Sequence, residues 1–302
     1  VGALLERFYG LPYVLLTLTS LFWAGNTVLA RAVRDDVPPI GLAFWRWVGA
    51  FLIVLGMAWP HLRRDWPVAV KHWRILLLLS LLSIASYNTL TYVALHWTTA
   101  INGSLLQSLM PVAIVVMSYL MFRETVTPVQ GLGVAISLAG AIAIVARGDL
   151  DYLAGLSVNR GDVLFIVAVV LYAAYAVLLR KRPPLHPLSF LAVIFAAGAV
   201  MLVPVYAWEI GSGHVMRLNR VTLLAVAYVA VFPSILSYLF FNRGVELVGA
   251  NRGGLFVHLI PVFGSLMAIL FLGERFELFH AVGMALILGG IALANRTGRR
   301  PA

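Results

Sequence analysis

Residues 100–124 read AINGSLLQSLMPVAIVVMSYLMFRE, and residues 250–274 read ANRGGLFVHLIPVFGSLMAILFLGE. The two stretches align without a gap at an offset of 150, and the match continues to residues 143 and 293. Thirteen positions of forty-four are identical, among them Gly103/Gly253, Pro111/Pro261, Glu124/Glu274, Gly133/Gly283 and Gly140/Gly290. Apolar composition alone supplies Leu and Ala matches; it does not readily supply matched Pro, Glu and Gly. The chain is therefore a tandem duplication.

The rest of the chain is read outward from that repeat. Of 302 residues, 62% are hydrophobic and 11% charged, whereas soluble domains carry about 25% charged residues. Apolar runs are expected to span at about 11–30, 39–58, 74–96, 100–122, 128–146, 162–180, 187–208, 221–242, 249–272 and 278–295. Their length and continuous apolarity exclude a β-barrel, whose strands are about ten residues long and alternate. Thr127-Pro128-Val129-Gln130 reads as a capping box with Pro at the first helical position. Ala30-Arg31-Ala32 resembles a leader cleavage site, but the run before it is too long for a signal core, so it reads as a retained first span. Five spans per half is an odd number, so the second half enters from the opposite face. The expected architecture is an all-α integral membrane protein of ten transmembrane helices in two inverted five-helix repeats, 1–150 and 151–302, around a central cavity.

The net charge of +10 does not indicate nucleic acid, because the cations lie in short segments between apolar runs and not on one face. Fourteen Lys and Arg fall on the side of the termini and seven on the other, Arg46 being within a span. The positive-inside rule then places both termini in the cytoplasm. No cysteine is present, which removes disulfides and thiolate metal sites. No catalytic motif and no metal or cofactor site is legible; the expected partners are a small-molecule substrate and the bilayer, with no nucleic acid, and a monomer is expected.

Polar groups deep in apolar spans mark candidate function, since hydrocarbon offers them no partner. Pro111 and Pro261 lie near mid-span; each frees a backbone carbonyl, at Gln107 and Val257, and they read as a symmetric pair of hinges. Three residues earlier stand Ser108 and His258, again equivalent by the repeat. Span 3 carries Ser80, Ser83, Tyr87 and Thr91 at helical spacing. With Trp23, Asn26, Gln107, Tyr172, Tyr175 and Tyr238 these give a candidate substrate path lined by spans 1, 3, 4, 6, 8 and 9. Spans 5 and 10, apolar with small residues, belong at the periphery. The alternative for each serine is helix–helix hydrogen bonding, and for each ring, core packing. Arg46 has two readings: contact with a substrate carboxylate, or snorkelling and capping of backbone carbonyls, the latter favoured. Trp66, Trp73, Trp97, Tyr206 and Trp208 read as interface belt. No carboxylate sits mid-span, which favours gradient-driven transport or coupling through histidine.

Trp23-Ala24-Gly25-Asn26, Phe44-Trp45-Arg46, and the repeated Ala–Pro and Glu–Gly segments together resemble the drug/metabolite transporter superfamily in its ten-span form with two EamA-type halves. Within it, bacterial exporters of amino acids, aromatic ones above all, are most similar. The resemblance implies export from the cytoplasm across a bacterial inner membrane by alternating access. The rival classes are a broad drug or metabolite exporter coupled to protons, a channel or scaffold, and a membrane enzyme; the absence of H-E-x-x-H, G-x-S-x-G or paired buried acids speaks against the last.

Overall fold

The computed structural model describes residues 2–33, 37–94, 97–98, 100–149, 159–272 and 275–296; Glu274 and the boundary between residues 150 and 151 lie outside them. A short helix, α1 (Gly2–Tyr9), precedes the spans. These are α2 (Pro12–Ala32), α3 (Pro39–Lys71), α4 (Trp73–Ala94), α5 (Ala100–Gln107 and Met110–Phe122) and α6 (Pro128–Val145), then α7 (Arg160–Lys181), α8 (Pro187–Gly211), α9 (Arg220–Val248), α10 (Ala250–Phe271) and α11 (Leu278–Arg296). Among the described residues nine helices are long and apolar enough to cross a membrane. The tenth span, α2, carries Thr17, Thr19, Ser20, Asn26 and Thr27, and its 21 residues reach about 31 Å.

Helix starts follow local chemistry. Thr127 Oγ1 accepts from Gln130 N at 3.2 Å and Gln130 Oε1 from Thr127 N at 2.9 Å, closing the capping box read from the sequence. Asn159 and Asp162 form a second box at the start of α7. The clearest departure is α3, which runs 33 residues through Pro60 and Pro67. At 1.5 Å per residue it is about 50 Å long, so it stands well beyond a hydrocarbon core of about 30 Å.

Packing obeys the duplication, α2 to α6 corresponding to α7 to α11. The helices α6 and α11 pair, as do α3 and α8; α2 packs on α9 and α10, and reciprocally α7 packs on α4 and α5. The contacts of α2 with α9 and α10 are thus repeated by those of α7 with α4 and α5, as a two-fold axis in the membrane plane requires.

The irregular turns obey it too. Residues 81–87 of α4 and 231–236 of α9 are π-helical, again 150 apart. A π turn widens the ring of backbone bonds, so side-chain spacing across it no longer follows 3.6. This is why Ser80, Ser83, Tyr87 and Thr91 do not form the single stripe their spacing predicts. Ser80 Oγ instead donates to Ile194 O of α8 at 2.6 Å, and Ser83 Oγ to Leu79 O of its own helix at 2.7 Å.

Candidate functional site

The two mid-span prolines each follow a broken turn. In α5 the helix stops at Gln107 and restarts at Met110; in α10 residues Phe256–His258 form a 3₁₀ turn. The carbonyls turned toward other helices are those of Ser108 and Phe256, not the expected Gln107 and Val257. His258 Nε2 lies 2.8 Å from Ser108 O, and Ser20 Oγ of α2 donates to Phe256 O at 2.6 Å. Ser108 and His258 are equivalent by the repeat and touch each other, so the axis passes between them.

A carbonyl only accepts, so Nε2 carries the proton. In the neutral ring Nδ1 then accepts from the Ser137 hydroxyl, 2.7 Å away on α6. His258 is 0% exposed, and both ring nitrogens are committed to joining α10, α5 and α6. Ser137 lies in a span read from the sequence as apolar and peripheral, and its 121-residue separation from His258 hid the pairing.

Next to the axis lies a cluster of rings. Trp23 meets Tyr172 edge-on at 5.7 Å and Phe241 at 5.3 Å; Tyr87 lies 4.7 Å from Tyr172, and Tyr172 5.3 Å from Tyr175. Tyr238 joins through Tyr175 at 5.9 Å and packs on Trp47 and Phe195. Tyr172, Tyr175 and Tyr238 are buried, whereas Trp23, Asn26, Tyr87 and Gln107 are half-buried. Chain direction places the half-buried set away from α1, and the buried set toward it.

The sequence-derived residues divide by what their polar atoms already do. Tyr175 Oη donates to Asn242 Oδ1 at 2.8 Å, Thr91 Oγ1 to Asn88 O at 2.9 Å and Ser108 Oγ to Ser104 O at 2.9 Å. Tyr238 Oη reaches Ser83 O of the α4 π turn at 3.5 Å. By contrast, the Gln107 amide and Tyr87 hydroxyl make no side-chain hydrogen bond among the described residues.

Arg46 does not snorkel. It is 1% exposed and turns inward onto the π turn of α9, where Nη2 donates to Pro233 O at 2.9 Å and Nε to Ser234 Oγ at 2.5 Å. Trp23 Nε1 donates to the same Pro233 carbonyl at 3.3 Å. Arg46 thus caps a backbone carbonyl as expected, with partners on the other repeat that no local sequence pattern names. Tyr206, read as interface belt, instead stacks on Phe44 at 4.6 Å and accepts from Trp45 Nε1 at 3.0 Å, between α3 and α8. Trp66, Trp73, Trp97 and Trp208 are exposed near helix ends.

The sequence profile of the EamA-like transporter family matches this chain twice, at residues 10–146 and 159–296. The uncharacterized transporter YyaM of Bacillus subtilis is 27% identical over 96% of this chain and 95% of its own length. An uncharacterized transporter of Archaeoglobus fulgidus is 29% identical over 94% and 96%. A solved crystal structure, 18% identical, superposes with a TM-score of 0.77 over 94% of this chain and 96% of that one, and so shares the fold.

Proposed function

From the premise that the chain belongs to the EamA-like transporter family, and is a multi-pass membrane transporter, we propose that it exports neutral or aromatic amino acids, or closely similar small metabolites. The observation that carries the reading is the contact of His258 with Ser108. Two equivalent residues meet where both helices are broken ahead of a proline. That supplies two oppositely oriented halves with weak backbone at their junction, the mechanical basis of alternating access. The repeats are 1–150 and 151–302, with Pro111 and Pro261 as hinges.

The substrate path runs past Trp23, Asn26, Tyr87, Thr91, Gln107 and Tyr172. Uncommitted polar atoms at Gln107 and Tyr87 beside a ring cluster suit a solute with an apolar body and a polar head. The bias of Lys and Arg supports a cytoplasmic α1 side, in what we take to be a bacterial inner membrane. On that side Arg182 and Arg243 meet Glu246 at 3.5 and 3.1 Å, and Arg243 Nε donates to Tyr9 O at 3.3 Å. These contacts join α1, the end of α7 and α9 below the buried tyrosines. Transport follows the substrate gradient, as no carboxylate lies on this path.

Counterflow in proteoliposomes holding only this protein tests the reading, with labelled amino acids and organic cations as the panel. Gln107→Ala is expected to lower amino-acid flux at least fivefold with normal insertion. His258→Ala is expected to slow turnover by loosening the junction. Unchanged flux in both variants defeats the proposed path.

A further inference from the structure

Arg46 is the one buried Lys or Arg among the described residues. A guanidinium stays charged in any protein environment, and buried charges are ordinarily paired with an opposite charge. Here every hydrogen-bond partner among the described residues is a neutral oxygen: Ser234 Oγ at 2.5 Å, Pro233 O at 2.9 Å, Asn88 Oδ1 at 3.1 Å, Tyr92 Oη at 3.4 Å and Asn26 Oδ1 at 3.5 Å.

The two edges of the guanidinium are held unequally. Nε and Nη2 grip the π turn of α9 with short bonds, which fixes the plane of the group. Nη1 divides two N–H groups among three acceptors at 3.1 to 3.5 Å. The longest of these bonds goes to Asn26, which is also the half-buried partner. Asn26 lies one helical turn beyond Trp23 on α2, and Trp23 shares the Pro233 carbonyl with Arg46. A held cation with a loosely satisfied edge thus stands beside the face of the ring cluster that is least buried.

We propose that the Nη1 edge of Arg46 receives the carboxylate of the transported solute, displacing Asn26 Oδ1, while the apolar body of the solute lies against Trp23 and Tyr172. The inference rests on the transporter reading above and narrows its substrate class to small carboxylates and zwitterions with an apolar or aromatic body. A carboxylate oxygen in place of Asn26 Oδ1 keeps the donor satisfied and supplies the missing charge, and charge-assisted bonds are roughly twice as strong as neutral ones. Asn26 serves as the placeholder that keeps Nη1 hydrogen-bonded between substrates.

Counterflow with a matched pair, labelled phenylalanine and labelled phenylalaninamide, tests this in proteoliposomes of the full chain. The readout is the acid-to-amide flux ratio, which a merely structural role for Arg46 leaves unchanged. Arg46→Gln is expected to lower the ratio at least tenfold, and Arg46→Lys to restore part of it. Asn26→Asp places a resident carboxylate at Nη1 without removing the contacts to α9; it is expected to lower the ratio as Arg46→Gln does, which holds the test open should Arg46→Gln fail to fold. An unchanged ratio in Asn26→Asp, or in a folded Arg46→Gln, overturns the inference. A wild-type chain that moves the amide and not the acid overturns it while leaving transport intact. If nothing on the panel crosses faster than in protein-free liposomes, the transport reading falls as well.

Discussion

Two of the helix pairs that join the repeats, α6 with α11 and α3 with α8, are held in opposite ways. Between α6 and α11 the contact is backbone on backbone. A Cβ added at Gly133 would stand 2.6 Å from Gly290 O, and one at Gly140 2.6 Å from Gly283 O; additions at Gly283 and Gly290 meet Gly140 and Gly133 in turn. Between α3 and α8 the contact is made by large rings and by carboxylates. Phe44 stacks on Tyr206, and Trp47 lies 5.1 Å from Phe195. Glu209, near the end of α8, accepts from Ile40 N at 2.9 Å and Gly41 N at 2.6 Å at the start of α3. At the other end, Asp65 of α3 accepts from His186 N at 2.9 Å, just ahead of α8.

One symmetry operation therefore produces two kinds of join. The first relies on close van der Waals approach, which in lipid replaces the hydrophobic force that drives association in water. The second relies on anions at helix N-termini, where unpaired N–H groups and the helix dipole favour them. The glycine join is symmetric residue by residue; the α3–α8 join is symmetric only in kind, since Glu209 and Asp65 are not equivalent positions. Arg46 sits on α3, the helix whose join has drifted from the repeat, and the polar chemistry concentrates there.

Breaking the glycine join is expected to have the largest effect. Gly140→Leu forces a side chain into backbone that cannot yield, at a cost of about 3 kcal/mol or more, and folded protein is lost. Gly131→Leu on the same helix, where a Cβ meets nothing within 4 Å, leaves stability unchanged. Thermal unfolding in detergent compares the two; equal midpoints deny the close contact.

Glu209→Gln tests the carboxylate join. The amide keeps one acceptor but turns an NH₂ toward a backbone N–H, a loss of about 2 kcal/mol on the scale of bonds to charged groups. The matching measurement is the unfolding midpoint, together with hydrogen exchange at Ile40 and Gly41. Exchange unaltered by the substitution would show that the cap does not hold the start of α3.

The smallest effect is a pH dependence at the opposite end of the same pair. His186 is held below its ordinary range by burial first and then by His61, stacked on it at 3.7 Å, with Asp65 acting in the raising direction. The unfolded chain therefore takes up this proton at higher pH than the folded one. Below about pH 6.5 the unfolded state binds more protons, and stability declines as pH falls toward the folded titration. His61→Asn is expected to flatten that decline between pH 7.5 and 5. An identical slope in wild type and variant removes His61 as a cause.

Much of this was legible in residue types. Pro39, Pro128 and Pro187 mark helix starts that the structure keeps, because a ring that fixes φ and lacks N–H suits the first turn. The glycine join could be read from the repeat, because small residues conserved across a duplication at a spacing of seven lie on one face of a helix. The far end of α3 was not legible: the apolar run ends near residue 58, yet the helix continues through Pro60 and Pro67 to Lys71. The π turn of α4 was equally hidden, since nothing in residues 81–87 departs from ordinary apolar helix composition, whereas Pro233 marks the one in α9.

The sequence by itself determined the number of spans, the duplication, the inversion that an odd span count compels, and where along their spans the prolines and His258 sit. These are local or periodic properties, set by the rise per residue and by what hydrocarbon tolerates. Only the tertiary structure decided which polar atoms meet: His258 with Ser108 and Ser137, Glu209 with Ile40 and Gly41, Arg46 with the π turn of α9. Those partners lie between 121 and 188 residues apart in the chain. Their meeting depends on how one folded half lies against the other, and no local preference encodes that.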